Sequence, residues 1–347
     1  MLQEEYKPIT KPQQVDPNLN AEFYRNIAES ELSPVIDPQL EFIAVYNDET
    51  AIVGATCMTS RFWRGNLWYY EDISNLNRAK ATTTSGGESG ITTGAFLGER
   101  DKFVVGEDSG VIKVLKVDVA EDESKRGIYY LGYACQHDDS ITSLSILKNS
   151  KQIVTAGLDY CYFFSIKVWD VEVLLAVHSY NPAHVDIVTS VDAHPTNDSM
   201  FASTSLDQDI LVWDIRQAKP AKRILRKTDC GGTFVAWNPL DESILTIGAQ
   251  DGSISIVDVR SQNDSPLCES VVFSREIRSL CFHPKRTNLL AACSNDSGVK
   301  VFNTSNEISL IYEDNTHKDF VRGLAWIKDE LISCSWDDTI QRHAIPF

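Results

Sequence analysis

The sequence predicts an all-β protein, a propeller of seven blades in which each blade is a four-stranded sheet. Two observations carry this prediction. Residues 184–216 read as three short strands joined by tight turns, because alternating apolar and polar runs are separated by Asp, Asn, Pro and Gln. Imperfect copies of this segment then follow one another along most of the chain, with no linker between them. Hydrophobic residues make up 43% of the 347 residues, enough to fill the core of such a ring.

Residues 184–216 also contain four side chains that suggest an internal hydrogen-bond network. His184 precedes the first strand, Ser203 or Ser205 lies in the second, Asp207 lies in the next turn, and Trp213 lies in the third strand. A hairpin would bring Asp207 and Trp213 together, and a buried carboxylate or indole needs a partner. We therefore predict a structural tetrad that holds the sheet in one shape. A catalytic His–Asp dyad is the weaker interpretation, since no nucleophile lies at a suggestive spacing.

The spacing between the turn acid and the third strand recurs along the chain. Trp213 lies six positions after Asp207, and the same step leads from Asp251, Asp296 and Asp337 to Val257, Phe302 and His343. The third strands are marked by residues 68, 115, 169, 213, 257, 302 and 343. A period of roughly 40 to 45 residues with Trp-Asp endings is typical of WD40 repeats, so the chain from about residue 38 resembles a seven-bladed WD40 β-propeller. Tetrad members are also expected in the third and seventh blades, at His137, Asp159, Trp169, His317 and Asp337.

The predicted domain organisation follows from where the repeats begin. We predict an N-terminal arm over residues 1–37 and a single propeller over residues 38–347. The last third strand, residues 339–344, lies close to the end of the sequence, and a sheet without its outer strand exposes an edge. The arm is therefore expected to return and supply the closing strand of the last blade.

Charge and composition argue against several classes of protein. A net charge of −17 disfavours nucleic-acid binding, which needs clustered Lys and Arg, and favours basic partners, although it would equally serve solubility alone. The sequence has no apolar run long enough to span a membrane and no secretory signal in residues 1–37. The eight cysteines form no CxxC pair, which favours buried thiols over disulfides or a metal site.

The second turn of the first blade is unusually long and aromatic. Its predicted span is Met58–Gly65, and it contains Arg61, Phe62, Trp63 and Arg64. Aromatic residues beside arginines on a protruding loop are typical of protein-binding hot spots. From composition alone, it is equally possible that Trp63 folds back and covers the end of its own blade.

The third blade contains extra residues. Without Tyr162, Phe163, Phe164 and Ser165, the distance from Asp159 to the tryptophan of the third strand would be the usual six residues. An even insertion preserves the alternation of strand faces. We predict a wide bulge or a longer hairpin end here, with three projecting aromatic side chains.

Several segments go beyond the generic repeat and resemble the WD-repeat subunit family of the methylosome. They are SRFWRGNLW (60–68), QHDDSI (136–141), HKDFVR (317–322), and SWD (335–337) followed by HAIP (343–346). The resemblance implies a non-catalytic scaffold, without cofactor, for an arginine methyltransferase that makes symmetric dimethylarginine. It implies that Arg61 and Trp63 insert into the TIM-barrel domain of that enzyme. It further implies a hetero-octamer, arginine-rich substrates such as Sm proteins and histones, and a cytoplasmic and nuclear location. The insertion in the third blade and the longer arm depart from the family.

The sequence also bears on two other classes of function. The endings Trp213-Asp214-Ile215-Arg216 and Val257-Asp258-Val259-Arg260 resemble the adaptor-binding box of WD40 substrate receptors of cullin-based ubiquitin ligases. Arginine after Trp-Asp is also common in ordinary propellers. An enzyme is disfavoured, since the sequence contains no phosphate-binding glycine loop, HExxH or Gly-x-Ser-x-Gly motif.

Overall fold

The structure is a computed structural model. It describes residues 39–346 except 60–61, 119–125, 160–163, 218, 220–221, 228 and 262–264. The predicted arm and the closing strand expected from it lie outside the described residues, so both stay predictions.

The described residues form seven antiparallel sheets, numbered here as blades in chain order. Blade one contains β1 (Gln39–Tyr46), β2 (Thr50–Thr59), β3 (Phe62–Tyr70) and β4 (Thr83–Gly87), with a short 3₁₀ turn at Arg78–Lys80. Blade two contains β5 (Ile91–Glu99), β6 (Lys102–Glu107), β7 (Val111–Asp118) and β8 (Gly127–Cys135). Blade three contains β9 (Ile141–Ile146), β10 (Gln152–Gly157), β11 (Phe164–Asp170) and β12 (Leu175–His184).

The remaining blades repeat this order. Blade four contains β13 (Val188–Ala193), β14 (Met200–Ser205), β15 (Asp209–Asp214) and β16 (Lys222–Arg226). Blade five contains β17 (Gly232–Asn238), β18 (Asp241–Ala249), β19 (Ser253–Asp258) and β20 (Cys268–Val271). Blade six contains β21 (Ile277–Phe282), β22 (Leu289–Ser294), β23 (Val299–Asn303) and β24 (Ser309–Asp314). Blade seven has three described strands, β25 (Val321–Ile327), β26 (Glu330–Ser335) and β27 (Ile340–Ala344).

The blades form a closed ring around a central channel. The first strand of each blade contacts the first strand of the next, and β1 contacts β25. The predicted all-β fold with seven blades is therefore confirmed. The second strands are the most buried, as Leu289–Ser294 illustrates, because both of their faces pack against neighbouring blades.

Apolar side chains between adjacent blades form the core. Where the ring closes, Leu40 and Ile43 of blade one pack with Ala325, Ile332 and Cys334 of blade seven, and all five are buried. The outer strands are more exposed, because only one of their edges pairs with another strand. The core thus lies in the spaces between blades, and loops and hairpins extend from a rigid ring.

Candidate functional sites: the hairpin of blade one and the tetrads

The hairpin formed by β2 and β3 is longer than any other second-to-third-strand pairing in the described part of the chain. It has nine residue pairs, against five or six in the other blades. Its last three pairs join Cys57 to Arg64, Met58 to Trp63 and Thr59 to Phe62. The predicted eight-residue loop is thus largely two paired strands. The sequence predicts a loop here, but consecutive apolar and aromatic residues favour the extended conformation, so these residues form strands.

The four predicted partner-binding residues fall at the end of this hairpin. Phe62 and Trp63 lie in β3, Arg64 is exposed, and Arg61 lies outside the described residues. Gly65 lies in β3 just after this extended part of the hairpin. A Cβ added at Gly65 would lie 2.4 Å from the backbone oxygen of Ser89. A side chain at position 65 would therefore displace the start of blade two, so the hairpin sits tightly against its neighbour.

The tetrad predicted in blade four is a continuous chain of hydrogen bonds. His184 Nδ1 donates to Asp207 at 2.9 Å, and Ser203 Oγ donates to His184 Nε2 at 2.7 Å. Trp213 Nε1 donates to the same Ser203 oxygen at 2.8 Å. The structure thus selects Ser203 from the two predicted serines, while Ser205 donates to the backbone oxygen of Asp186.

Blade three contains the same arrangement with a threonine at its centre. His137 Nδ1 lies 3.1 Å from Asp159, and Thr155 Oγ1 lies 2.8 Å from both His137 Nε2 and Trp169 Nε1. Thr155 could have been found from its position, since it occupies the place of Ser203 in the second strand.

In blade seven a second histidine replaces the tryptophan. His317 Nδ1 donates to Asp337 at 3.0 Å and Nε2 accepts from Ser333 at 2.7 Å. His343 Nε2 donates to Ser333 at 2.8 Å, and Tyr312 donates its hydroxyl hydrogen to His343 Nδ1 at 3.2 Å. The tyrosine supplies the donor that the second imidazole nitrogen requires.

The tetrad carboxylates have lowered pKa values, which makes the stability of the protein acid-sensitive. Burial alone would raise the pKa of Asp337, but hydrogen bonds from His317, Thr339 and the backbone N–H of Lys318 lower it to about 2. The pKa values of Asp207 and Asp159 are lowered in the same way by their histidines. The unfolded chain binds protons at an ordinary pKa of about 3.9. We therefore expect the free energy of unfolding to hold above about pH 4 and to fall toward pH 2, as followed by urea midpoints.

An Asp337→Asn variant provides the matching control, because it removes one of the titrating carboxylates. Its midpoint should decline less between pH 4 and pH 2 than that of the wild type. Equal pH dependence in both proteins would contradict the assignment of this acid sensitivity to Asp337.

Two of the four residues predicted as an insertion in blade three, Phe164 and Ser165, belong to its third strand. Ser165 lies in β11 opposite Gly157, is buried and donates to Asp159, so it belongs to the strand and not to an insertion. Phe164 pairs with His184 and packs against the core between blades three and four, and therefore does not project as predicted. Tyr162 and Phe163 lie outside the described residues.

Blade five has lost its tetrad and uses a lysine instead. Lys227 is buried, donates to Ser253 at 2.6 Å and pairs with Glu269 at 2.7 Å. Cys230 precedes Asp251 at the place where blades three, four and seven have a histidine, and hydrogen bonds from Ser253 and Cys230 lower the pKa of Asp251 against the opposing effect of its burial. The sequence of this blade contains no pattern from which the buried position of Lys227 could have been predicted.

The two arginines of the Asp-x-Arg endings are engaged locally. Arg216 Nε donates to Asp214 at 2.8 Å and Arg260 Nε donates to Asp258 at 3.0 Å, while both guanidinium groups stay largely exposed. These contacts lie within single turns, as expected if the two endings are ordinary propeller turns.

Within the described residues, no group of three His, Cys, Asp or Glu side chains is arranged to hold a metal ion. No described helix is long and apolar enough to cross a membrane. The seven cysteines in the described part of the chain are free thiols, of which Cys57, Cys293 and Cys334 are buried and Cys135 is exposed.

Comparison with known proteins places the chain in a family. The WD domain, G-beta repeat, matches residues 176–214 and 269–303. The diphthine methyltransferase homolog of Dictyostelium discoideum is 23% identical over 57% of this chain and 55% of its own length. A solved chain from the COPII outer coat vertex on membranes superposes with a TM-score of 0.73 at 15% identity, over 88% of this chain and 84% of that one, which shows the fold alone.

The relative that carries the family assignment is the methylosome protein WDR77 of Xenopus laevis. It is 30% identical over 316 residues, which cover 90% of this chain and 91% of that protein. The prediction that the chain is not an enzyme agrees with this relationship. Because the similarity extends over nearly the whole length of both proteins, the chain belongs to the methylosome WDR77 family of WD40 β-propellers.

Proposed function

We propose that this protein is a non-catalytic scaffold of the methylosome that binds an arginine methyltransferase forming symmetric dimethylarginine. The observation that carries the proposal is the full-length similarity to methylosome protein WDR77. The proposed complex is a hetero-octamer, acts on arginine-rich proteins such as Sm proteins and histones, and occurs in cytoplasm and nucleus.

The hairpin of blade one is the proposed docking element for the TIM-barrel domain of the enzyme. Its strands stay paired as far as Thr59 and Phe62, well beyond the length of the other blades. A paired hairpin loses less conformational entropy on binding than an open loop would. Arg61 and Trp63, at its end, are of the residue types that dominate binding energy at protein interfaces.

The charge of the molecule supports the proposed role in presenting substrates. Aspartate and glutamate exceed lysine and arginine by 17, so arginine-rich tails approach an attractive field. Attraction of this kind raises association rates more than it raises final affinity, and it weakens with salt. A scaffold that concentrates basic tails near a bound enzyme needs this effect and no catalytic group of its own.

The double variant Arg61→Ala, Trp63→Ala is expected to lose most of its affinity for the methyltransferase. Truncating one hot-spot side chain costs roughly 2 kcal/mol or more, and two such losses are not additive in general, so the dissociation constant should rise at least about thirtyfold. Surface plasmon resonance with immobilised methyltransferase measures the change. Thermal melting of the free variant should remain close to that of the wild type, since the substitutions lie at the hairpin end.

Tyr133→Ala is the matched control for removal of an exposed aromatic side chain. Tyr133 is 72% exposed on β8 and lies in another blade. It should leave binding unchanged. Full binding by the double variant, or an equal loss in both proteins, would refute docking through the hairpin.

The ligase-receptor alternative rests on the two Asp-x-Arg endings, and no contact among the described residues adds to it. Arg216 and Arg260 bond to the aspartates two residues before them. Mass measurement of complexes purified from native extract tests both functions, because the scaffold should co-purify with a methyltransferase in a stoichiometric assembly. A dominant ligase adaptor in that complex would overturn the proposal.

A further inference from the structure

The innermost strands of all seven blades share an irregularity that lines the channel. In each blade, the pairing between first and second strand skips one residue. A bulged residue of this kind is left out of the ladder and its side chain is redirected. The seven skipped residues line one cavity of about 450 Å³ in the channel, and in blade order they are Glu41, Thr92, Thr142, Thr189, Thr233, Arg278 and Arg322.

Three of the four threonines satisfy their hydroxyls across blade boundaries. Thr92 donates to the backbone oxygen of Ile141 at 2.6 Å, and Thr142 donates to that of Val188 at 2.7 Å. Thr189 continues the series to Gly232 at 2.9 Å. The series stops at the next blade, where the buried hydroxyl of Thr233 has no hydrogen-bond partner in the described part of the chain.

On the far side of the ring, one arginine is fully engaged. Arg322 donates to Glu41 at 3.1 Å and to Asn295 at 3.1 Å, and its guanidinium lies 4.8 Å from the centre of the Trp336 ring. The indole N–H of Trp336 donates to Glu41 at 3.0 Å. Glu41 is therefore committed to Arg322 and Trp336.

The remaining arginine is not engaged in this way. No described residue forms a hydrogen bond or an ion pair with Arg278, and its Nε atom is buried without a partner. Repulsion from Arg322, together with burial, lowers the pKa of Arg278 to about 10. Thr233 and Arg278 occupy equivalent places on adjacent blades, so these two unsatisfied donors follow one another in the ring order and line the same cavity.

We propose that the channel binds a carboxylate through Arg278 and the hydroxyl of Thr233. A guanidinium and an adjacent hydroxyl are complementary to a planar oxyanion. The cavity is also lined by Ile141, Ile187 and Leu206, so the body of the ligand is apolar. A multiply charged phosphate fits less well, because Asp108 and Glu276 line the same cavity and the chain is acidic overall. This site is independent of the proposed methylosome role.

Two sources of such a carboxylate can be distinguished by calorimetry on the full chain. Hexanoate represents a small organic acid, with hexanamide as its uncharged counterpart. The peptide acetyl-Ala-Ala-Val-Leu represents the C-terminus of a protein, with its C-terminal amide as counterpart. We expect at least one carboxylate to bind and its amide to bind at least tenfold more weakly. Failure of both carboxylates to bind, or equal binding of each acid and its amide, overturns the proposal.

Arg278→Gln tests the residue itself, with Arg260→Gln as the matched control at an exposed arginine outside the channel. Arg278→Gln should weaken binding of the carboxylate at least tenfold, while Arg260→Gln should leave it unchanged. Without ligand, Arg278→Gln should melt at or slightly above the wild-type temperature, because it removes an unpaired cation beside Arg322. A clear drop in melting temperature would instead assign Arg278 a structural role and overturn the proposal.

Discussion

Replacing Asp207 by alanine is expected to destabilise the propeller by about 3 kcal/mol, because three donors, among them the buried imidazole of His184, lose their acceptor at once. The carboxylate accepts hydrogen bonds from His184 Nδ1 at 2.9 Å and from the backbone N–H groups of Val185 and Asp209 at 3.0 Å each. No water can easily replace it, since the His184 side chain is fully buried. Urea denaturation at pH 7 measures the loss.

Asp258→Ala is the control for removing an aspartate at the end of a strand. Asp258 pairs with Arg260, whose side chain is 73% exposed, so its loss should cost less than about 1 kcal/mol. If the two variants were equally stable, the hydrogen bonds of the tetrad would contribute no more stability than a surface ion pair, and the claim that the tetrad stabilises the blade would be wrong.

The energetic weight of the tetrads explains why the fold could be predicted from the sequence. A network of His, Ser or Thr, Asp and Trp needs each member at a fixed place on a hairpin, so the six-position spacing from Asp207 to Trp213 recurs in blades five, six and seven, and blade three departs from it through its extra residues. The recurrence then gives the blade count, although only blades three and four have all four residue types. Blade seven retains the spacing because His343 can donate to Ser333 as an indole does.

Features that depend on contacts between blades could not be predicted in this way. His194 packs on Trp237 with ring centroids 4.6 Å apart, and His283 packs on Trp326 at 4.7 Å. Each pair joins one blade to the next over more than forty residues, so no local pattern announces it. The ring of bulged residues in the channel is equally hidden, because threonine and arginine at a strand start look like ordinary surface residues.

Gly252→Ala is expected to destabilise the protein by about 3 kcal/mol, through strain and a backbone clash together. Gly252 follows the turn acid of blade five with φ of 78°, a conformation that costs an L residue about 1 kcal/mol or more. An added Cβ would lie 2.1 Å from the backbone oxygen of Phe273. That backbone cannot retreat easily, since the N–H groups of Val272 and Phe273 both donate to the oxygen of Gly252. Thermal melting followed by circular dichroism measures the effect.

The opposite substitution at the equivalent turn of blade four sharpens this argument. Gln208 also follows its turn acid with positive φ, 74°, and therefore carries strain that glycine would relieve. Gln208→Gly should stabilise the protein or leave it unchanged, because relief of strain opposes the greater entropy of glycine in the unfolded chain. A loss comparable to that of Gly252→Ala would contradict the account. Strain from positive φ would then not distinguish the two turns, and the packing of Gly252 against Phe273 would have to explain the whole effect.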